Sequence, residues 1–492
     1  MSQINIQNLT FAYDGSYDNI FEQVSFQIDT DWKLGFTGRN GRGKTTFLKL
    51  LLGEYEYTGT ISSSVTFEYF PFPVEDTSAN TLEVIDGICN EYEHWSLVRE
   101  LSLLDLSEDV LYQPFETLSN GEQTKVLLAT LFLKRNHFLL IDEPTNHLDV
   151  NGREIVCQYL NSKRGFILIS HDRAFLDGCV DHILSINRTS IDIQQGNFSS
   201  WLLNKERQDH FELTENQKLK KEIRRLETSA NEKANWSDNI EKTKYATRNS
   251  GLRPDRGYIG HKAAKMMKRS KSIEQKKYDA MEEKAGLLKN LERADDLKIA
   301  QLAYHTGQLA SLDKISIAYG EKLVCESISF QIERGDRIAL TGKNGSGKSS
   351  ILKLICGEEI PYTGTFEKGS QLKISYVSQD TSFLQGSLSV YAREHDIDES
   401  LFKAILRKMD FQRIQFEKDM SDFSGGQKKK VLIAKSLCEK AHLLVWDEPL
   451  NFIDVISRMQ IESLLLEYQP TIVFVEHDRV FCDNIATEFV YL

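Results

Sequence analysis

Four short motifs occur twice in this chain, in the same order and at nearly the same spacing, and that duplication limits its fold more than any other feature. GRNGRGKTT (Gly38–Thr46), LSNGEQ (Leu118–Gln123), FLLIDEPTNHLD (Phe138–Asp149) and LISHDRAF (Leu168–Phe175) form the first set. GKNGSGKSS (Gly342–Ser350), FSGGQ (Phe423–Gln427), LLVWDEPLNFID (Leu443–Asp454) and VEHDRVF (Val475–Phe481) form the second. Lys44 to Ser119 spans 75 positions and Lys348 to Ser424 spans 76, while Ser119 to Asp142 and Ser424 to Asp447 both span 23. Glu143 to His171 spans 28 and Glu448 to His477 spans 29. A register kept across four motifs marks a duplicated domain. Each glycine-rich motif follows an apolar run (Leu34–Thr37, Ile338–Thr341) and opens an amphipathic stretch, FLKLLLG or ILKLICG. That is strand–loop–helix, so each repeat is expected to be an α/β domain with a largely parallel sheet.

The glycine-rich motifs fit GxxxxGK[ST], in which backbone N–H groups curl around phosphate oxygens at a helix N-terminus. The residues expected at nucleotide are Gly38, Asn40, Gly41, Gly43, Lys44, Thr45 and Thr46 in the first repeat, and Gly342, Asn344, Gly345, Gly347, Lys348, Ser349 and Ser350 in the second. Lys44 and Lys348 would neutralise the β and γ phosphates, and Thr45 and Ser349 would offer hydroxyls to Mg²⁺. An acidic pair closing a buried strand is often only a cap. At this distance from a phosphate loop, Asp142 and Asp447 instead support Mg²⁺, and Glu143 and Glu448 polarise the attacking water. His171 and His477, each followed by Asp-Arg, would sense the γ phosphate. The expected activity is hydrolysis of ATP, with Mg²⁺.

With these motifs in this order both repeats resemble the ABC ATPases. LSNGEQ and FSGGQ look like that family's signature motif, which binds the γ phosphate of nucleotide held by the opposite domain. The resemblance implies a head-to-tail sandwich with two composite sites. One would pair Gly38–Thr45, Asp142, Glu143 and His171 with Ser424, Gly425, Gly426 and Gln427. The other would pair Gly342–Ser349, Asp447, Glu448 and His477 with Ser119, Gly121 and Glu122. Tyr13 and Tyr319 match the aromatic that stacks on adenine. Gln379 in SYVSQD fits the family's Q-loop glutamine, which also reaches Mg²⁺, whereas EYFPFP places Phe72 there. EPLNFID puts Phe452 where EPTNHLD has His147. Both glutamates are kept, so both sites are expected to hydrolyse ATP, unequally.

Between the repeats, residues 205–300 are rich in Lys, Glu and Arg and poor in β-branched residues. Leu219, Ile223, Leu226 and Ala230 recur at helical spacing, as do Met281, Leu288 and Leu291, and Gly and Pro cluster between them in Asn249–Gly260. The pattern predicts an antiparallel helical hairpin with its tip in that cluster. Arms of about 45 residues would reach roughly 65 Å at about 1.5 Å per residue. The chain's net charge is −12, yet Lys242–Lys277 holds 12 Lys and Arg against Asp255 and Glu274, a net +10. Like charge gathered at a far end gains nothing for folding. With Tyr245, Tyr258 and His261 interleaved it suits structured RNA, where phosphates attract cations and unstacked bases lie on aromatic faces. Lys244, Arg253, Arg256, Tyr258, His261, Lys262, Lys265, Lys268 and Arg269 are the candidate RNA contacts.

Two such domains in one chain, joined by a long basic linker, resemble the ABC-F proteins, which act on ribosomes. The expected organisation is 1–200 as a first ABC-type P-loop domain, 201–305 as the helical-hairpin linker and 306–492 as a second. The resemblance implies a 70S ribosome partner, with the linker entering the tRNA exit site beside P-site tRNA and approaching 23S rRNA near the peptidyl-transferase centre. About 45 residues separate Phe72 from Ser119, which leaves no room for the inserted arm of housekeeping members, and the chain ends 15 residues after His477. Together with the tip RPDRGYIGHKAAKMMKR, this is similar to the Lsa-type resistance group and implies protection against lincosamides, pleuromutilins and streptogramin A. A housekeeping translation factor is the alternative. A transport ATPase is a further one, but it would need membrane partners and leaves the basic hairpin unexplained. A DNA-repair or condensin-like ATPase would carry its coiled coil inside one domain. No apolar stretch approaches the ~20 residues of a membrane span, the N-terminus lacks a signal-peptide pattern, and the seven cysteines are scattered without a CxxC pair. A cytoplasmic monomer with no obligate protein partner is expected.

Overall fold

The computed structural model describes residues 2–13, 19–134, 136–146, 148–186, 191–208, 210–211, 214–215, 218, 221, 302–320, 322–409, 411 and 413–492. The expected hairpin and all nine candidate RNA contacts, Lys244 to Arg269, lie outside the described residues, as does His147. Contacts divide the chain into one unit of Met1–Trp201 with Asp296–Leu492 and a second of Leu202–Asp295. The first unit holds both repeats.

Each repeat pairs a parallel sheet with a small antiparallel one. In the first repeat the phosphate-loop strand Lys33–Thr37 lies between Phe166–Ile169 and His182–Ile186, and Phe166–Ile169 is followed outward by His137–Asp142 and Thr66–Phe70. Ile191–Gln195 adds an antiparallel edge. The second repeat repeats the order: Arg337–Thr341 lies between Ile472–Val475 and Glu488–Tyr491, with Leu443–Asp447 and Ile374–Val377 beyond. Continuous apolar runs form these central strands because helices cover both faces of a parallel sheet. Leu443–Asp447 and Ile472–Val475 are buried at every position. The antiparallel sheets are Phe21–Asp29, Gln3–Phe11 and Thr58–Ser62 in the first repeat, and Lys322–Glu333, Gln308–Tyr319 and Tyr362–Lys368 in the second.

The strands bring the motifs to one edge. Phosphate loops leave Thr37 and Thr341, the acidic pairs close His137–Asp142 and Leu443–Asp447, and the histidines follow Ile169 and Val475. Since neighbouring strands run parallel, all these ends lie at the sheet's carboxyl edge, where open α/β sheets bind ligands. The polar motif residues also terminate helices. Ser119 and Ser424 form capping boxes with Glu122 and Gln427. Asp149, Asp172, Asp454 and Asp478 each accept a main-chain N–H at a helix start.

Candidate functional site

The phosphate loops have the conformation that glycine allows. Gly43 and Gly347 stand at φ 91° in both repeats, and a Cβ on Gly43 would lie 2.5 Å from Ile20 Cγ2. In the first repeat, Lys44 is buried and its Nζ donates to Gly38 O (2.6 Å), Arg39 O (3.3 Å) and Asn40 Oδ1 (3.3 Å). Lys348 donates to Gly342 O and Lys343 O, both at 2.9 Å. Burial pulls both ammonium groups below their ordinary range against the nearby carboxylates. Thr45 Oγ1 donates to Asp142 Oδ2 (3.3 Å) and Ser349 Oγ to Asp447 Oδ1 (3.1 Å). Such a hydroxyl–carboxylate pair, completed by phosphate oxygens and waters, is how Mg²⁺ is commonly held. The oxygen donor set fits that ion, and no group of three or more His, Cys, Asp or Glu able to hold a metal occurs among the described residues. Tyr13 and Thr46 share a hydroxyl hydrogen bond of 2.7 Å, and Tyr319 and Ser350 one of 3.0 Å, which sets each half-exposed ring at the start of the phosphate-loop helix.

A cavity of about 490 Å³ joins the repeats at the first phosphate loop. The first repeat lines it with Asn40, Gly41, Gly43, Lys44, Thr45, Thr46, Asp142, Glu143 and His171, and the second with Ser424, Gly425, Gly426 and Phe452. Asn40 Nδ2 donates across the boundary to Phe452 O (2.8 Å). Gly426 is required there, because an added Cβ would collide with Phe452 O and come within 3.3 Å of Asn40 Nδ2. The helix Gly425–Cys438 thus turns its N-terminus toward the phosphate loop of the other repeat, as an anion site needs.

The crossing is different at the second phosphate loop. Asp149 lies close enough to offset part of the depression that burial imposes on Lys348, and Arg153 Nη1 donates to His477 O (3.1 Å). No hydrogen bond among the described residues joins Ser119, Gly121 or Glu122 to Gly342–Ser349; the Ser119 hydroxyl is spent on Glu122 Oε2 at 2.7 Å.

Both glutamates adopt left-handed backbone, Glu143 at φ 50° and Glu448 at φ 46°, a conformation that is costly outside glycine and gathers at functional sites. Their side chains differ. Glu448 Oε2 accepts from Gln379 Nε2 (2.9 Å) and Asn451 Nδ2 (2.6 Å), and Oε1 faces His477 Nε2 at 3.6 Å. Burial pushes Glu448 up, but His477, Asn451 and Lys429 outweigh it and hold the carboxyl below its usual range. Glu143 Oε1 is buried without a hydrogen-bond partner, 3.4 Å from His171 Nε2. Burial, then the Asp142 carboxylate, pushes Glu143 up to about 8. Burial, with Lys44 and Arg458 nearby, holds His171 well below its ordinary value. Phe72 supplies no replacement for Gln379: its ring lies under Lys134 Nζ at 4.9 Å.

Two tyrosines belong to the site that motif reasoning passed over. Tyr69 Oη donates to Asp142 Oδ2 (3.0 Å), and Tyr376 lies near Asp447, burial and then that carboxylate pushing its phenol up. Both occupy one register position, in EYFPFP and SYVSQD, and the repeat alone could have revealed them.

Comparison with known proteins agrees with this geometry. The family model described as ABC transporter matches residues 21–146 and 325–451, about half of the chain. The chain belongs to the ABC transporter family. As an ABC ATPase it hydrolyses ATP with Mg²⁺. It is similar to ATP-binding protein Uup of Buchnera aphidicola subsp. Acyrthosiphon pisum, with 28% identity over 512 residues, 99% of this chain and 80% of that one. It is also similar to the probable ATP-binding protein YheS of Escherichia coli O6:H1, with 28% identity over 523 residues, 96% of this chain and 76% of that one. Its fold matches archaeal ribosome recycling factor aABCE1, solved with archaeal ribosomal stalk protein aP1, at TM-score 0.64 and 17% identity over 98% of this chain and 87% of that one. No helix of this ABC ATPase, among the described residues, is long and apolar enough to cross a membrane.

Proposed function

We propose that this ABC ATPase is an ABC-F protein of the ribosome, and that residues 201–305 form a helical linker that enters the tRNA exit site of the 70S particle. There it would meet P-site tRNA and 23S rRNA near the peptidyl-transferase centre, and displace lincosamides, pleuromutilins and streptogramin A. The observation that carries this reading is charge: a net +10 over Lys242–Lys277, set between two cassettes in a chain whose net charge is −12. Cations at that density match an RNA backbone, and a transport ATPase has no use for them. Uup and YheS match nearly the whole chain, linker region included, under names that mention ATP binding and no drug. A general translation factor is the second reading.

In either case the cassettes work as a clamp. Glu143 and Glu448 polarise the water that attacks the γ phosphate, and His171 and His477 face the same phosphate from the neighbouring strand. Mg²⁺, held by Thr45 with Asp142 and by Ser349 and Gln379 with Asp447, would supply charge neutralisation at the phosphates. Tyr13 and Tyr319 stack on adenine, and Ser424–Gln427 and Ser119–Glu122 close each site from the opposite cassette. ATP favours the closed clamp and hydrolysis releases it.

Trapping the clamp tests the proposal. Glu143→Gln with Glu448→Gln leaves the phosphate loops intact, so the variant should bind ATP, stop turning over and stay on its target. Pulled from cells with ATP and its RNA sequenced, it should carry 23S rRNA and tRNA and inhibit translation. Enrichment of membrane proteins without ribosomal RNA would refute the proposal.

A further inference from the structure

Two buried positions carry charge in the second cassette and none in the first. Lys429, on the helix Gly425–Cys438, is 2% exposed and forms no ion pair among the described residues. Its Nζ donates to three main-chain carbonyls: Ser378 (2.9 Å), Glu448 (3.0 Å) and Asp447 (3.4 Å). Glu476 is its buried acidic counterpart. Its Oε1 takes the N–H of Leu450 (2.7 Å) and its Oε2 the N–H of His477 (2.8 Å). In the first cassette the same register positions hold Thr124 and Ser170. The Thr124 hydroxyl returns to Asn120 O of its own helix (2.8 Å), and Ser170 Oγ accepts from Asp172 N (3.2 Å) and shares a hydrogen bond with the Thr145 hydroxyl (3.3 Å).

The three carbonyls lie just past the ends of two paired parallel strands, where Val377 stands opposite Trp446 and the ladder stops. Ser378 precedes Gln379, and Gln379 Nε2 donates to Glu448 Oε2 (2.9 Å). One ammonium therefore ties the main chain behind the glutamine to the main chain behind the glutamate. Glu448 needs that tie, because its backbone is left-handed at φ 46°. Its N–H is held by Val475 O (3.1 Å) and its carbonyl by Lys429. In the first cassette, among the described residues, the Glu143 carbonyl meets only a long contact from Asn146 N (3.4 Å), and Glu143 Oε1 accepts no hydrogen bond. A buried ammonium is costly unless several acceptors satisfy it, and here all of them are backbone of the nucleotide site.

We propose that Lys429 is a positioning residue for ATP hydrolysis at the second site. It fixes Gln379 and Glu448 in one geometry, while Glu476 fixes His477 and the Leu450 turn. The second site is thereby built for turnover and the first for slower release. This rests on Glu448 acting as the residue that polarises water.

Glu143→Gln isolates turnover at the second site. In that background Lys429→Thr, the residue the first cassette carries in this register, should lower kcat about 10- to 100-fold, the cost of misplacing a reacting group by about 1 Å. KM for ATP should stay within about twofold, as ground-state binding is untouched. Lys429→Gln retains two of the three N–H donors and should fall between, which keeps the test alive if the threonine variant does not fold. With Glu143 intact and Glu448→Gln present, Lys429→Thr should change nothing further. Unchanged kcat for both variants in the first background overturns the inference. So does an added loss in the second, which would mark damage to the cassette as a whole. If Glu143→Gln/Glu448→Gln itself still hydrolyses ATP, the assignment of the glutamates has failed, and that result is separate from either outcome for Lys429.

Discussion

Arg173 ties the two cassettes together on one side only. Its Nη2 donates to Glu462 Oε2 at 2.7 Å and lies 3.8 Å from Asp478 Oδ1, both in the second cassette. The register places Arg479 and Cys157 where a mirrored tie would need Arg173 and Glu462. Arg479 is 73% exposed at its side chain and, among the described residues, pairs only with Asp483 at 3.8 Å. Truncating one partner of a buried ion pair costs about 3–5 kcal/mol when the other is left bare. Here Glu462 keeps Asn484 Nδ2 (2.6 Å), and Asp478 keeps Arg458 (3.3 Å) and its cap on Phe481 N (3.0 Å). The loss from Arg173→Ala should therefore be smaller, about 2 kcal/mol. It falls on apposition of the cassettes, since each keeps its own core, and it amounts to roughly 30-fold weaker closure at about 1.4 kcal/mol per tenfold. The assay is ATP-driven closure in the Glu143→Gln/Glu448→Gln protein, read by a fluorophore pair with one label on each cassette. Arg173→Ala should raise the ATP concentration for half-closure by about that factor, and Arg479→Ala should shift it less than about twofold, as for an exposed pair. A double-mutant cycle with Glu462→Ala should show coupling of about 1 kcal/mol or more. Equal midpoints for the two arginine variants, or additive losses at Arg173 and Glu462, would refute the one-sided tie.

Tested singly, Glu448→Gln should remove more of the steady-state ATPase than Glu143→Gln, because Gln379 and Asn451 orient only Glu448; equal losses would remove the significance of Phe72. Gly426→Ala should collapse closure at the first site, and with it turnover in a Glu448→Gln background, by about tenfold or more; calorimetry should show the second cassette still folded, since Phe452 O sits on an exposed turn. On the proposed function, Tyr258→Ala should leave expression and basal ATPase unchanged and reduce drug protection in cells, a stacked base being worth about 1–3 kcal/mol. Neutralising Lys262, Lys265, Lys268 and Arg269 together should weaken ribosome binding and flatten its salt dependence in co-sedimentation. Full protection and binding by both would reduce the segment to a spacer.

The sequence disclosed those parts of the molecule that depend on local pattern. Leu34–Thr37 and Phe138–Ile141 read as buried strands because apolar residues fill them without alternation, and the strands Lys33–Thr37 and His137–Asp142 contain them. The glycines around Lys44 and Lys348 read as phosphate loops because left-handed backbone leaves few other residues possible. Tyr69 escaped notice because its partner, Asp142, is 73 positions away and is reached only once Thr66–Phe70 pairs with His137–Asp142. Lys429 escaped for a related reason. In GQKKKVL it is one of three lysines at a helix start, where a solvated face is the ordinary expectation, and only the packing of that helix under Ser378 and Glu448 buries it.

The departures from repeat symmetry share a physical logic. Where the first cassette has Phe72, Thr124, Ser170 and Cys157, the second has Gln379, Lys429, Glu476 and Glu462, and each of the four latter residues makes a polar contact that its counterpart cannot. Three of them brace Glu448 and His477 from within the second cassette. The fourth receives Arg173 from the first cassette, two residues past His171 at the first site. The second cassette therefore supplies both the better-ordered glutamate and the anchor for its neighbour's histidine segment. Restoring symmetry at Lys429 should on this argument slow the second site alone, whereas removing Arg173 should loosen closure and leave the geometry around Glu448 intact.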